Sequence, residues 1–313
     1  MPKSLPKRFT DATAARQHLE GLLWPEGPIC PHCGSVKEAT VLKGKSTRPG
    51  VYWCNACQSP FSVTVGTVYE RSKVPLNTWL YATHLLCSSK KGISSQQLAR
   101  MLGVTVKTAW FMSHRIREAM TPLPGSEPPL GGDGFVVEAD EVELGTSPKS
   151  RKRGRGKNLK FVSLIERGGR VRSRKITGAG KPISLDIHRA LRQEIDPAST
   201  LHTDGAKHYA VSPFYGQHEA VDHNKQFVRK TEQGEKVHCN SAEGYFSIFK
   251  RGLVGTYQHM SEQHLARYLA EFDFRISHRA KLGITDDMRT DIALEGIAGK
   301  RLTYRRIGEA AHV

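Results

Sequence analysis

FVVEADEVELG, residues 135–145, has the apolar, β-branched character of a strand, yet it carries Glu138, Asp140 and Glu141 where a buried strand does not tolerate them without cause. Ionised carboxylates leave water only when something compensates them. A second run, STLHTDGAKHYA (199–210), repeats the situation, with a strand-like Leu201-His202-Thr203 ending in Asp204-Gly205. Between the two, FVSLIERGGRVRSRKIT (161–177) reads as a hairpin turning at Gly168-Gly169, and SLDIHRALRQEI (184–195) as an amphipathic helix. Strand, hairpin, helix, strand predicts a mixed α/β layer. Two aspartates at strand ends suggest a metal site.

Phosphoryl transfer to water or to a 3′-hydroxyl uses carboxylates that hold two divalent ions about 3.5–4 Å apart, and three acids are a minimal set. Hard oxygen ligands suit Mg²⁺ or Mn²⁺. The third acid is sought in HCNSAEGYFSIFKRG (238–252), a helix by its apolar stripe of Ala242, Tyr245, Phe246, Phe249 and Leu253. At about 100° per residue Glu243 and Lys250 nearly eclipse one another on the flank of that stripe, a position that can line a cleft. Asn240 precedes them at the spacing of a capping box, in which the Asn side chain accepts from the backbone of Glu243 and Glu243 reaches back. Spacing leaves both roles open for each residue.

Upstream, Cys30-Pro-His-Cys33 and Cys54-Asn-Ala-Cys57 have zinc-ribbon spacing, two knuckles able to close a four-sulfur structural Zn²⁺ site. Cys87 and Cys239 fall outside the pattern and read as small buried hydrophobes, and His32 as incidental. WLYATHLLCSSKK and SSQQLARMLGVTVKTAWFMSHRIREAM follow as helices. The second stretch breaks at Gly103-Val104 into a helix-turn-helix, with Leu98, Ala99, Leu102, Val106, Ala109 and Ile116 inward and Thr105 as N-cap. Lys107, Thr108, Phe111, His114 and Arg115 are left outward as candidates for groove or phosphate contacts. MTPLPGSEPPLGGDG (120–134) gathers prolines and glycines into a linker. The basic run PKSRKRGRGKNLK (148–160), with Arg151, Lys152, Arg153 and Arg155, reads as an arm for the DNA backbone. The expected domains are a zinc ribbon with N-terminal helix (1–70), a helix-turn-helix (71–122), a linker (123–134), a catalytic domain (135–285) and a polar C-terminal tail (286–313).

The 313 residues carry 47 Lys and Arg against 30 acids, a formal charge of +17, which favours a polyanionic partner through counterion release. Nucleic acid is the leading partner and a solvated basic surface the alternative; no long apolar run or basic amphipathic helix supports a membrane. The start, MPKSLPKRFTDATAARQHLEG, lacks the apolar core of a signal peptide, so a cytoplasmic protein with reduced thiols is expected.

Taken in order, CPHC…CNAC, the helix-turn-helix, VEADEVELG, LHTDGAKHY, HCNSAEGYFSIFKRGLVGTYQHM and HLARYLAEFDFRISHR resemble bacterial insertion-sequence transposases with an N-terminal zinc ribbon and a DDE, ribonuclease-H-like catalytic domain. The resemblance runs from about residue 15 to 280, and the last two motifs are its most specific part. It implies a multidomain α+β protein in which zinc ribbon and helix-turn-helix are followed by a ribonuclease-H-like α/β domain. It also implies that Asp140 and Asp204 are the first two metal-binding carboxylates. In the third motif the family has either an Asn or a Glu followed by a Lys, and this chain has both. Glu243 with Lys250 seven residues on matches the wider DDE pattern, which leaves Asn240 as the alternative third position and otherwise as the helix cap. Lys250 then serves as a phosphate-positioning cation. Where the family continues from Asp-Glu into an aromatic residue and a Gly-Gly pair, this chain has Val142-Glu143-Leu144-Gly145-Thr146, a departure in the loop after the first strand; Glu141 and Glu143 read as supporting or surface acids. The activity implied is binding of terminal inverted repeats, then Mg²⁺-dependent cleavage and strand transfer into target DNA, within a dimer or larger synaptic complex in the bacterial nucleoid. Two other classes of answer are a DNA-binding regulator without catalysis and a structure-specific nuclease of the same fold.

Overall fold

The computed structural model describes residues 5–145, 159–176, 183–209, 217–222 and 225–303. The chain divides into two compact units, Met1–Thr121 together with Thr285–Val313, and Pro122–Ile284.

The first unit begins with helices α1 (Lys7–Thr10) and α2 (Ala12–Leu23), the latter capped by the Asp11 carboxylate, which accepts from Ala14 N at 2.7 Å. Strands β1 (Ala39–Val41), β2 (Tyr52–Cys54) and β3 (Pro60–Phe61) form an antiparallel sheet in that order, and Trp24, Tyr52 and Phe61 pack edge and face against one another beneath it. Helices α3 (Leu76–Ser88), α4 (Ser95–Leu102) and α5 (Val106–Ala119) follow. The Ser94 hydroxyl caps α4 by accepting from Gln97 N, and the Thr105 hydroxyl caps α5 by accepting from Thr108 N. Between them Gly103 sits at φ 65°, a left-handed position that glycine reaches without steric cost. Leu98, Ala99, Ala109 and Ile116 are buried as the helical periodicity predicts, but Val106 is 50% exposed, because the first turn of α5 projects beyond the core.

Zinc ribbon and helices, expected as two domains, fall within one unit. The expected C-terminal tail also needs correction: among its described residues is helix α9 (Asp286–Glu295), which packs against α3. Ala293, Leu294 and Ile297 are fully buried there, and Arg289 donates to the Cys87 carbonyl at 2.9 Å while Val68 N donates to the Ile297 carbonyl at 3.1 Å. The buried side of this helix includes Arg289 and Thr290 beside Ala293 and Leu294, so an apolar periodicity does not mark it in the sequence.

In the second unit β4 (Val136–Leu144), β5 (Leu159–Glu166), β6 (Val171–Lys175), β7 (Thr200–Thr203) and β8 (Gln217–Ala220) build one sheet in the order β6-β5-β4-β7-β8. β5 runs antiparallel to both its neighbours, whereas β4, β7 and β8 are parallel. Helix α6 (Ile183–Glu194) lies between β6 and β7 in the chain; the short pair β9 (Arg229–Lys230) and β10 (Lys236–Val237) precedes α7 (Asn240–Gly252) and α8 (Leu265–Ser277).

Each face of this sheet has its own core. Val137, Ala139, Val162 and Leu164 pack with Ile187, Ala190 and Leu191 of α6. Val142, Phe161 and Ile165 pack with Tyr245, Phe246 and Phe249 of α7 and Leu269 and Phe272 of α8. Burial on both faces explains why β5 reads as a nearly continuous apolar run. It also sorts β4 by the period of two: Glu138, Asp140 and Val142 share the face that turns to α7.

Candidate active site

Cys30 and Cys33 come from one turn and Cys54 and Cys57 from another, and their sulfur atoms all lie within 4.8 Å of one another. The Cys30–Cys57 and Cys33–Cys54 separations are 3.6 and 3.7 Å. A tetrahedral zinc with Zn–S bonds of about 2.3 Å has sulfur–sulfur edges of about 3.8 Å, so the donor set fits a structural zinc. Each knuckle is held by its own backbone: Gly34 N donates to Cys30 O at 2.8 Å, and Cys54 N donates to Ser59 O at 3.0 Å.

Asp140 lies on β4 and Asp204 directly follows β7. The parallel ladder aligns Val136 with Thr200 and Glu138 with His202, and Asp140 and Asp204 each follow two residues after that last pair. Asp140 is half-buried and accepts from the Glu141 backbone N–H at 2.8 Å. Asp204 accepts from Ala206 N at 3.0 Å, which shapes the turn beyond its strand. Burial, reinforced by the negative charges of Asp204, Glu141 and Glu243, pushes the Asp140 carboxyl up to about 7. Glu243 and Lys250 project from the exposed flank of α7, two turns apart. The three carboxylates thus share one electrostatic field, but they are not drawn into a single ligand cage. Among the described residues the four thiols are the only set of three or more ligand groups gathered that closely.

The other acids of β4 are engaged elsewhere. Glu141 accepts from the Tyr209 hydroxyl at 2.5 Å, and Glu143 pairs with Lys160 at 2.7 Å. Asn240 is exposed and is the first residue of α7; its side chain makes no capping bond, and Cys239 stands at the N-cap position. The expected capping box is therefore absent. Glu138, wholly buried, takes the role from across the fold, accepting from Ser241 N at 2.8 Å and Ala242 N at 3.3 Å. It is in turn paired with Arg167 at 3.0 Å. Burial and the Arg167 guanidinium hold His202 down at about 4, so its neutral Nδ1 accepts from Arg167 at 3.1 Å. Sequence reasoning noticed Glu138 as a misplaced acid and assigned it nothing; its parity with Asp140 was the available signal.

In the first unit Lys107 is exposed and Thr108 and Phe111 are partly so. His114 and Arg115, expected to face outward, are buried, which corrects their reading as DNA contacts. His114 packs against Trp110 with ring centroids 4.2 Å apart. Arg115 donates to the Glu70 carbonyl at 2.9 Å and lies over the Phe111 ring, a structural tie that a local helical pattern does not reveal. Arg151, Lys152, Arg153 and Arg155 lie outside the described residues.

Comparison with known proteins places these observations in a family. Residues 10–59 match the transposase zinc-ribbon domain, and residues 129–277 match the ISXO2-like transposase domain. The chain is also similar to a protein described as an uncharacterized protein in transposable element ISH50 of Halobacterium salinarum, 27% identical over 286 residues, 86% of this chain and 92% of the relative. A relative in that organism shows that the resemblance extends beyond bacteria. No helix among the described residues is long and apolar enough to cross a membrane. With a zinc-ribbon domain and a transposase domain matched in succession, the chain is similar to insertion-sequence transposases that carry an ISXO2-like transposase domain.

Proposed function

We propose that the protein binds the terminal inverted repeats of its element and catalyses Mg²⁺-dependent DNA cleavage and strand transfer, with Asp140, Asp204 and Glu243 as the metal-holding acids. The observation that carries this reading is Asp140 on β4 beside the parallel strand β7, which Asp204 directly follows, with the charges of Asp204 and Glu243 both felt at the Asp140 carboxyl. The strand order β6-β5-β4-β7-β8, with β5 alone running against the other four, supports a ribonuclease-H-like reading of the second unit. Asp140, Asp204 and Glu243 would hold two Mg²⁺ ions, which would supply Lewis-acid activation of a water or 3′-hydroxyl and charge stabilisation of the departing oxygen.

The chain's own residues supply the rest. Asp140 and Asp204 offer carboxylate oxygens from a rigid sheet, and Glu243 offers one from a docked helix. Lys250, two turns along the same flank, presents a cation to a backbone phosphate. Lys107, Thr108 and Phe111, on the first half of α5, are the residues of the helix-turn-helix left to meet DNA. The net charge of +17 favours binding of two DNA ends and a target, and a dimer is the simplest assembly that holds both ends.

The test is a labelled terminal-repeat fragment incubated with protein and Mg²⁺, comparing the wild type with Asp140→Ala, Glu243→Gln and Asn240→Ala. Loss of cleavage in the first two with retention in the third supports the ligand set; retained joining in Glu243→Gln overturns Glu243 in favour of Asn240. Cleavage without joined products favours the nuclease, and binding without cleavage the regulator.

A further inference from the structure

Helices leave their first four backbone N–H groups without internal partners, and a buried first turn needs acceptors from somewhere. Most helices find them in their own N-cap side chain. α7 does not: the acceptor is the carboxylate of Glu138 on β4, which takes Ser241 N and Ala242 N on Oε2 and the Ser241 hydroxyl, at 3.0 Å, on Oε1. Negative charge at a helix N-terminus is also favoured by the helix dipole.

Glu138 is itself clamped. Arg167, in the turn between β5 and β6, donates from Nε to Oε1 of Glu138 at 3.0 Å. Its other nitrogens reach the Lys236 carbonyl at 3.3 Å and the His238 carbonyl at 3.2 Å, so the chain entering α7 is bound to the same pair. A local cap fixes only a helix end; a cap from another element fixes the helix to that element. Glu138 and Asp140 lie on one face of β4, about 6.7 Å apart by strand rise. Ser241 and Glu243 lie two residues apart at the start of α7. One tether therefore sets the height and rotation of the helix that bears Glu243 against the strand that bears Asp140.

We infer that Glu138, held by Arg167, is a positioning residue: it contacts no metal and no DNA, and it fixes α7 so that Glu243 meets Asp140 and Asp204. This inference rests on the reading of those three acids as the metal site.

The experiment is hydrogen–deuterium exchange on the full-length, zinc-loaded protein, as a titration with Mn²⁺, for the wild type, Glu138→Ala, Glu138→Gln, Asp140→Ala and Glu243→Gln. Without Mn²⁺, Glu138→Ala is expected to speed exchange in the peptide spanning 240–243 by about tenfold, with the isosteric Gln intermediate and the zinc-ribbon peptides unchanged. With Mn²⁺, both variants are expected to need about tenfold more metal for half-maximal protection of peptides 136–144 and 200–206, and to keep full protection at saturation. Unchanged exchange at 240–243 overturns the anchor. Faster exchange with an unchanged Mn²⁺ midpoint overturns the positioning role and leaves a merely structural cap. Loss of Mn²⁺ protection in Glu138→Gln as complete as in Asp140→Ala makes Glu138 a ligand and overturns the inference in that way. A wild-type Mn²⁺ response that survives both Asp140→Ala and Glu243→Gln sinks the metal-site reading and the positioning role with it, while the metal-free exchange still decides the anchor. Should Glu138→Ala not fold, Glu138→Gln and Arg167→Met carry the same comparison.

Discussion

Asp140 occupies a strand of a sheet buried on both faces, with three further acids raising its proton affinity. Charge there costs stability, so removing it should be favourable to folding and fatal to chemistry. Asp140→Asn is expected to melt above the wild type by roughly 2–4 °C for each kcal/mol relieved, and to lose cleavage; calorimetry without added metal, beside the cleavage assay, checks both halves. A lower melting point would mean that Asp140 is compensated within the protein itself. The cysteines behave in the opposite way. Four thiols within 4.8 Å give up their protons to bind one zinc, and that bond energy holds the small ribbon together, so Cys33→Ser or chelation should unfold the ribbon over about residues 30–61. Loss of aromatic near-ultraviolet dichroism from Trp24, Tyr52 and Phe61, with stoichiometric release of zinc, reports it.

At the scale of elements, α7 is seated by polar as well as apolar contacts. Asp273 of α8, half-buried, accepts from the Tyr245 hydroxyl of α7 at 2.6 Å and from the Ser173 hydroxyl and backbone of β6 at 2.8 and 2.6 Å. Burial pushes Asp273 up to about 6 despite these donors. A carboxyl raised in the folded state binds its proton more tightly there than in the unfolded chain. Its contribution is therefore fully present below about pH 4, and it is lost as the pH rises through about 6. Tyr245→Phe removes one donor and should cost about 1–2 kcal/mol in urea unfolding at neutral pH, with a smaller cost at pH 4 where Asp273 is protonated. An equal cost at both values would refute the coupling. In the first unit, Gly103→Ala meets open space but must hold φ at 65°, so a loss of about 1 kcal/mol measured by thermal unfolding is expected from backbone conformation alone.

For the whole molecule, the first unit is closed by chain that returns after the second has been built. Deleting 285–313 removes Thr290 and Leu294, both wholly buried, and uncovers the side of α3 against which α9 packs. The first unit should then lose its cooperative transition while that of residues 122–284 persists, a difference that scanning calorimetry resolves. A deletion that leaves both transitions intact would show that α9 is dispensable.

Several features were legible in the residues alone because their signals are local. The paired CxxC turns, the Gly103 turn with its Thr105 cap, the strand–hairpin–helix–strand run and the apolar stripe of α7 each depend on neighbours a few positions apart, where spacing and backbone preference speak directly. The misreadings share the opposite cause. Asn240 matched a capping box, but Glu138 supplied the acceptors from a strand far back in the chain; Arg115 matched an outward recognition position, but found the Glu70 carbonyl and an aromatic ring. The sequence by itself determined which elements form and which chemistry their side chains carry, since both follow from short-range periodicity and residue type. The tertiary structure alone decided which acid caps the helix, which arginine is buried and where the last helix returns. Those outcomes are pairings between distant residues, and a buried donor takes the acceptor that the fold brings to it.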